Sequence, residues 1–203
     1  TANNAYFDCA YMSADTKPYA TIPYPSFAGI NFPRNYPTVI IGDGYKFQLG
    51  NRELEVFEIP NHTAGGIALL DRRERLLFSG DEIWTSEFII LNCSVAQFER
   101  NMSKLAAHRS EFDKCCGGPG IGDATAVDKY LATARYILSG QGTSEQVQSS
   151  STTATSTDSS TQKVYIRGVV HPEDIPVTPA NPYLVKMTYA DCTITYDSRY
   201  IQD

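Results

Sequence analysis

Apolar and polar positions alternate with a period of two over Tyr45 to Leu49 and again over Leu54 to Ile59, on either side of Gly50-Asn51. Side chains spaced this way fall on opposite faces of a strand, so the pair predicts a β-hairpin that turns at the glycine. A second hairpin is predicted from Ile67 to Leu70 and Leu76 to Phe78, joined by the charged turn Asp71 to Arg75 and running at its far end into Gly80-Asp81. The period then changes. Val95, Phe98, Met102 and Leu105 recur at helical spacing behind Ser94, which has Gln97 three residues on, the arrangement of a capping box. This helix is expected to run to about His108. Phe112 to Cys116 reads as a short buried strand ending in a flexible glycine run, Gly117 to Gly122. Asp123 then opens a second helix through Val127, Leu131, Ala134 and Leu138, with Gly140 as its stop. Strands alternating with helices point to a layered α/β architecture.

The flanks read differently. Residues 1–37 carry six prolines or glycines and many tyrosines, the pattern of loop with short elements. From Gln141 to Gln162 the chain is dominated by Ser, Thr and Gln, a composition that cannot build a core. Beyond it, Val164 to Val170 and Leu184 to Tyr196 are rich in β-branched and aromatic residues. The expected division is a main domain over 1–140, a flexible connector over 141–162 and a small β appendage over 163–203.

Composition narrows the function classes. A 203-residue chain with 42% hydrophobic residues has ample material for a core. The formal net charge is −6 and the Lys and Arg residues are scattered, so no basic stripe argues for nucleic acid. No apolar run approaches the roughly 18 residues of a spanning helix and no signal-like segment opens the chain, so a soluble protein with no membrane partner is expected. Five cysteines, an odd number without Cys-x-x-Cys spacing, fit a reduced cytoplasmic protein better than a disulfide framework or a zinc knuckle. Cys115-Cys116 reads as two small core residues. The first residue is Thr1, not methionine, from which a processed chain or a piece of something longer is expected.

Chemistry concentrates in Pro60-Asn61-His62-Thr63-Ala64-Gly65-Gly66 and Leu77-Phe78-Ser79-Gly80-Asp81. His62 and Asp81 each stand at a predicted strand end, where loops present side chains into clefts. Imidazole and carboxylate are both good ligands for zinc. The other two histidines are weaker candidates: His108 falls on the polar side of its helix, and His171 lies past the connector beside Glu173 and Asp174. Gly117 to Gly122 lacks the Lys-Ser/Thr of a phosphate loop. Trp84 and Phe88 suit either a cleft mouth or a core. Asn61-His62-Thr63, Asn92-Cys93-Ser94 and Asn101-Met102-Ser103 each match the glycosylation acceptor pattern.

The succession of strand, His62-Thr63-Ala64-Gly65, hairpin, Leu77-Phe78-Ser79-Gly80-Asp81, helix, strand, glycine-rich turn and helix resembles the later two-thirds of a metallo-β-lactamase-fold hydrolase, over Ala10 to Ser139. The resemblance implies an αββα sandwich lacking its N-terminal portion, and a two-metal centre, usually zinc. By the match, His62 is a metal ligand and Asp81 the bridging ligand and catalytic carboxylate. A metal-bound hydroxide would then attack an ester, thioester, amide or phosphoester of a small-molecule substrate. Two features depart from the family pattern. No His-x-His-x-Asp-His occurs, and Gly118-Pro119-Gly120 stands where a late Gly-His-Gly is expected. The resemblance therefore leaves two readings, a fragment or degenerate member of the hydrolases and a non-catalytic binding or assembly module. Absence of the early strands also predicts an uncovered apolar sheet, met by a second copy of the chain or by a partner chain.

Overall fold

The structure, a computed structural model, describes residues 4–21, 36–118, 120–147 and 181–203. After a 3-10 turn at Asn4–Tyr6, strand β1 (Ala10–Met12) pairs in parallel with β2 (Thr38–Ile40), with helix α1 (Thr16–Thr21) between them in sequence. The two predicted hairpins follow as β3 (Lys46–Leu49) with β4 (Arg52–Glu58), and β5 (Ile67–Asp71) with β6 (Leu76–Gly80). Next come β7 (Phe88–Ile90), α2 (Val95–Ala107), β8 (Lys114–Gly117), β9 (Gly120–Asp123) and α3 (Thr125–Leu138). The chain closes with β10 (Glu145–Gln146), β11 (Leu184–Tyr189) and β12 (Cys192–Asp197).

The main sheet has six strands in the order β3-β4-β5-β6-β8-β9, antiparallel except for the parallel β6-β8 pair. Register explains its two faces. Phe57 pairs with Ala68, and Leu70 with Leu77, which pairs with Cys115. These five residues share one face, are all at most 5% exposed, and join Phe98, Met102 and Leu105 of α2 and Val127, Tyr130 and Leu131 of α3 in one hydrophobic cluster. The opposite face carries the row Val56, Leu69, Phe78, Cys116 and Ile121. The row is buried at one end and open at the other, with 0% exposure at Val56 and 72% at Ile121, Phe78 at 36% and Cys116 half-buried between them. At the other end Tyr11 packs edge-on against Phe47, their centroids 5.0 Å apart, bringing the β1-β2 ribbon to the β3 side.

Helix α2 has the predicted cap: Ser94 is extended (ψ 154°) and its Oγ accepts the Gln97 N–H. Helix α3 begins one residue later than expected, with Ala124 at the cap position, yet Asp123 Oδ1 still accepts the Thr125 N–H at 2.9 Å. The glycine run is a correction: in place of a loop it forms the β8-β9 hairpin, with Gly117 opposite Gly120. The C-terminal hairpin β11-β12 adds to β7 in a second, four-stranded sheet, and its Val185, Met187, Cys192, Ile194 and Tyr196 sit in the same core cluster as α3. The expected strand Val164 to Val170 and most of the Ser/Thr connector lie outside the described residues. Among the described residues no helix is long and apolar enough to cross a membrane.

Candidate functional site

His62 rides on the loop between β4 and β5, closed at its base where Ile59 donates its N–H to Gly66 O at 2.9 Å. Its ring Nδ1 lies 2.9 Å from the carbonyl oxygen of Ile90, at the end of β7. A carbonyl can only accept, so Nδ1 carries a proton, and in the neutral ring the Nε2 lone pair is then free, the tautomer a ligating or proton-accepting histidine needs.

A buried carboxylate holds this loop from within. Oε2 of Glu82 accepts the N–H groups of Asn61 and His62, both at 2.7 Å, while Oε1 accepts the Thr63 N–H at 3.1 Å and the Thr63 hydroxyl. Glu82 is 4% exposed. Loss of this acceptor would leave three amides to find water or go unpaired, at roughly 1–3 kcal/mol for each one left buried. Gly66 makes room for it, since a Cβ there would stand 2.1 Å from Cδ of Glu82. Asn61 continues the network by donating to Glu82 O (3.0 Å) and accepting from Asn101 of α2 (2.9 Å). From the other side Ser13 and Thr16 donate their hydroxyls to Gly65 O at 2.8 and 2.9 Å.

Asp81 is presented differently. It follows Gly80, whose φ of 51° turns the chain out of β6, and it is exposed. Its carboxylate lies over Gly118, where a Cβ would come within 3.3 Å of Asp81 Oδ1 and 3.2 Å of Trp84 Cδ1. The glycines of the β8-β9 hairpin are there for the same reason: a Cβ at Gly117 would be 2.0 Å from Ile83 O, and one at Gly122 would be 2.6 Å from Cβ of Thr85. This close approach is why the run becomes a strand tucked beneath residues 83–85.

Trp84 borders both candidate groups. Its indole is 5.8 Å from the His62 ring and 5.7 Å from Phe88, centroid to centroid, and adjoins the Asp81 carboxylate across Gly118. Both aromatics are partly buried. The Trp84 carbonyl is fixed by the Tyr130 hydroxyl at 2.8 Å, and burial raises that phenol well above its ordinary value. The Trp84 Nε1–H is buried with no hydrogen-bond partner among the described residues.

The remaining candidates separate cleanly. His108 is partly buried instead of lying free on the surface, packed edge-on against Phe57 at 4.9 Å and 3.0 Å from Glu111 Oε1. Asn61 and Asn101 are 0% and 6% exposed and bonded to each other, so only Asn92 of the three glycosylation triplets has an exposed asparagine. Burial pushes Cys93, Cys115 and Cys192 up to about 12, which keeps these thiols protonated and poor ligands at neutral pH. Pro119 and His171 lie outside the described residues. A structural zinc takes four ligands and a catalytic one three plus water. His62 and Asp81 supply two, and no group of three or more His, Cys, Asp or Glu among the described residues is arranged to hold a metal ion. These two donors alone do not fit a resident metal.

The sequence reading missed Glu82, Asn101, Ser13 and Thr16. Asn101 left a signal, a polar residue three positions after Phe98 on the apolar side of α2. Glu82 left none, because its partners lie about twenty residues away in the chain.

The model of the metallo-beta-lactamase superfamily matches residues 4–138. Among curated proteins, acyl-coenzyme A thioesterase MBLAC2 of Homo sapiens is 42% identical over 53 residues, which are 26% of this chain and 19% of that protein. The Gallus gallus protein of the same name is 35% identical over 69 residues, 33% of this chain and 25% of that one. The match thus spans a quarter or less of these relatives' length. Among solved structures, a metallo-beta-lactamase family protein of Thermus thermophilus has a TM-score of 0.43 at 20% identity, covering 54% of this chain and 38% of that one. The flavodiiron protein of Giardia intestinalis has a TM-score of 0.46 at 15% identity, covering 66% and 36%.

Proposed function

Because the chain belongs to the metallo-beta-lactamase superfamily, we propose that it contributes His62 and Asp81 to the metal centre of a hydrolase acting on a small-molecule thioester or related ester. In this reading His62 is a ligand through Nε2, Asp81 the bridging and catalytic carboxylate, zinc the metal, and the remaining ligands come from residues other than those described. The metal would supply activated water. The chain's own part is to hold the Nε2 of a neutral imidazole and an exposed carboxylate beside Trp84. The observation that carries the reading is the Ile90 carbonyl on His62 Nδ1, the support that ligating histidines characteristically have. Thioesters are favoured among the ester-type substrates by the curated relatives' name. The exposed end of the Phe78 and Ile121 row supports coverage by a second copy or another chain. Five free thiols suit a cytoplasmic location.

Zinc titration followed by calorimetry tests the proposal. Stoichiometric uptake that His62→Ala and Asp81→Asn each weaken, together with acyl-coenzyme A hydrolysis lost in the same variants, is expected. No zinc uptake by the wild-type chain overturns it. That outcome would favour a binding or assembly module that kept the fold, the reading favoured by a two-donor site and by Pro119 in place of a histidine.

A further inference from the structure

We propose that Glu82 is the positioning residue for His62: its buried carboxylate gathers the amides of residues 61 to 63 and so sets the turn from which the imidazole reaches the Ile90 carbonyl. The inference deepens the reading of His62 as a ligand and rests on it only where Nε2 is given a metal to bind.

A carboxylate has room for about four hydrogen bonds on its two oxygens. At Glu82 the His62 loop fills them with three consecutive amides and one hydroxyl. Three successive N–H groups converging on one point fix the direction in which the backbone leaves residue 62, and with it the direction of the imidazole. The ring's polar contact, Nδ1 to Ile90 O at 2.9 Å, depends on that direction. Because Glu82 is the next residue after Asp81, the same side chain also ties the backbone that carries the carboxylate to the loop that carries the imidazole. Ordinary burial does not require this arrangement: Asn61 already tethers the loop to Glu82 O and to α2, and Ser13 and Thr16 hold Gly65.

The test is nitrogen-15 NMR of the His62 ring in the full chain, at a pH where the imidazole is neutral. The signals are assigned by their loss in His62→Asn. The wild type should show protonated Nδ1. Glu82→Gln keeps one acceptor oxygen for the Asn61 and His62 amides, and its NH2 can donate to the Thr63 hydroxyl, so it should retain that tautomer. Glu82→Ala should shift the tautomer ratio toward Nε2–H by about tenfold, the size of losing one net hydrogen bond. Val127→Ala, a core truncation remote from the loop, should lower stability and leave the ratio unchanged. If Glu82→Ala does not fold, Glu82→Asp, which withdraws the oxygens by one methylene, should give an intermediate shift.

A folded Glu82→Ala or Glu82→Asp with the wild-type tautomer overturns the proposal, as does an equal shift in Val127→Ala. A tautomer shift in a protein that takes up no zinc sinks the hydrolase reading and leaves Glu82 as the positioning residue. Zinc uptake with an unshifted tautomer does the reverse.

Discussion

The loop carrying His62 and the turn carrying Asp81 lie against the same indole, but they are held by opposite means. The loop is fixed by four polar side chains from three parts of the chain: Glu82 beside the site, Asn101 on α2, and Ser13 with Thr16 at the start of α1. The Asp81 turn is defined by subtraction, with glycines at 117, 118 and 122 letting the backbone of β8 and β9 come up beneath residues 81–85. Hydrogen bonds, those of Asn61 buried, over-determine the loop that carries the imidazole, whereas the carboxylate is left accessible. A side chain that must present one particular nitrogen needs its orientation specified; a carboxylate with two equivalent oxygens needs mainly a clear approach.

The contrast can be broken most severely at Glu82. Its replacement by alanine removes the acceptor for three amides, and the expected loss is about 3 kcal/mol or more in urea unfolding at unchanged m-value. Gly66→Ala comes next. The atom it would strike is the end of a side chain, but one locked by four hydrogen bonds, so overpacking of about 2 kcal/mol is expected in the same measurement.

On the Asp81 side the effects are smaller and depend on pH. Hydrogen bonds from the Thr125 backbone and hydroxyl, with Lys114 nearby, hold Asp123 down to about 2. A carboxylate depressed in the folded state stabilises fully above its unfolded value of 3.8 and loses that contribution as pH falls toward 2. The protection factors of the amides in the first turn of α3, exchange rates taken relative to the unstructured chain at the same pH, should therefore fall between pH 4 and pH 2, to a lesser degree in Asp123→Asn. Smallest of all, Asp81→Asn should change stability by no more than about 0.5 kcal/mol, because an exposed side chain outside the network holds nothing in place. A large destabilisation by that variant would erase the distinction between the two regions.

Much of this arrangement was legible beforehand. Alternation gave both hairpins, and Ser94 with Gln97 gave the start of α2, because those signals are local. His62 and Asp81 were found at strand ends for the same reason. The glycine run misled, since a string of glycines reads as a loop unless one knows that Ile83 O and Thr85 press against it. Glu82 reads as one more surface acid beside Asp81, and Asn61 and Asn101 as acceptor triplets. Their roles arise from partners twenty and forty residues distant, which no period reports.

Helix α2 carries one further consequence. Its first free amides are met from far along the chain: Val95 and Ala96 donate to the carbonyls of Tyr200 and Ile201, and the Ser94 hydroxyl donates to Asp203, a separation of 109 residues. During synthesis this helix must wait, its leading turn open to water, until that downstream stretch has left the ribosome. Translation order thus makes the start of α2 settle only after residues 200–203 have been made.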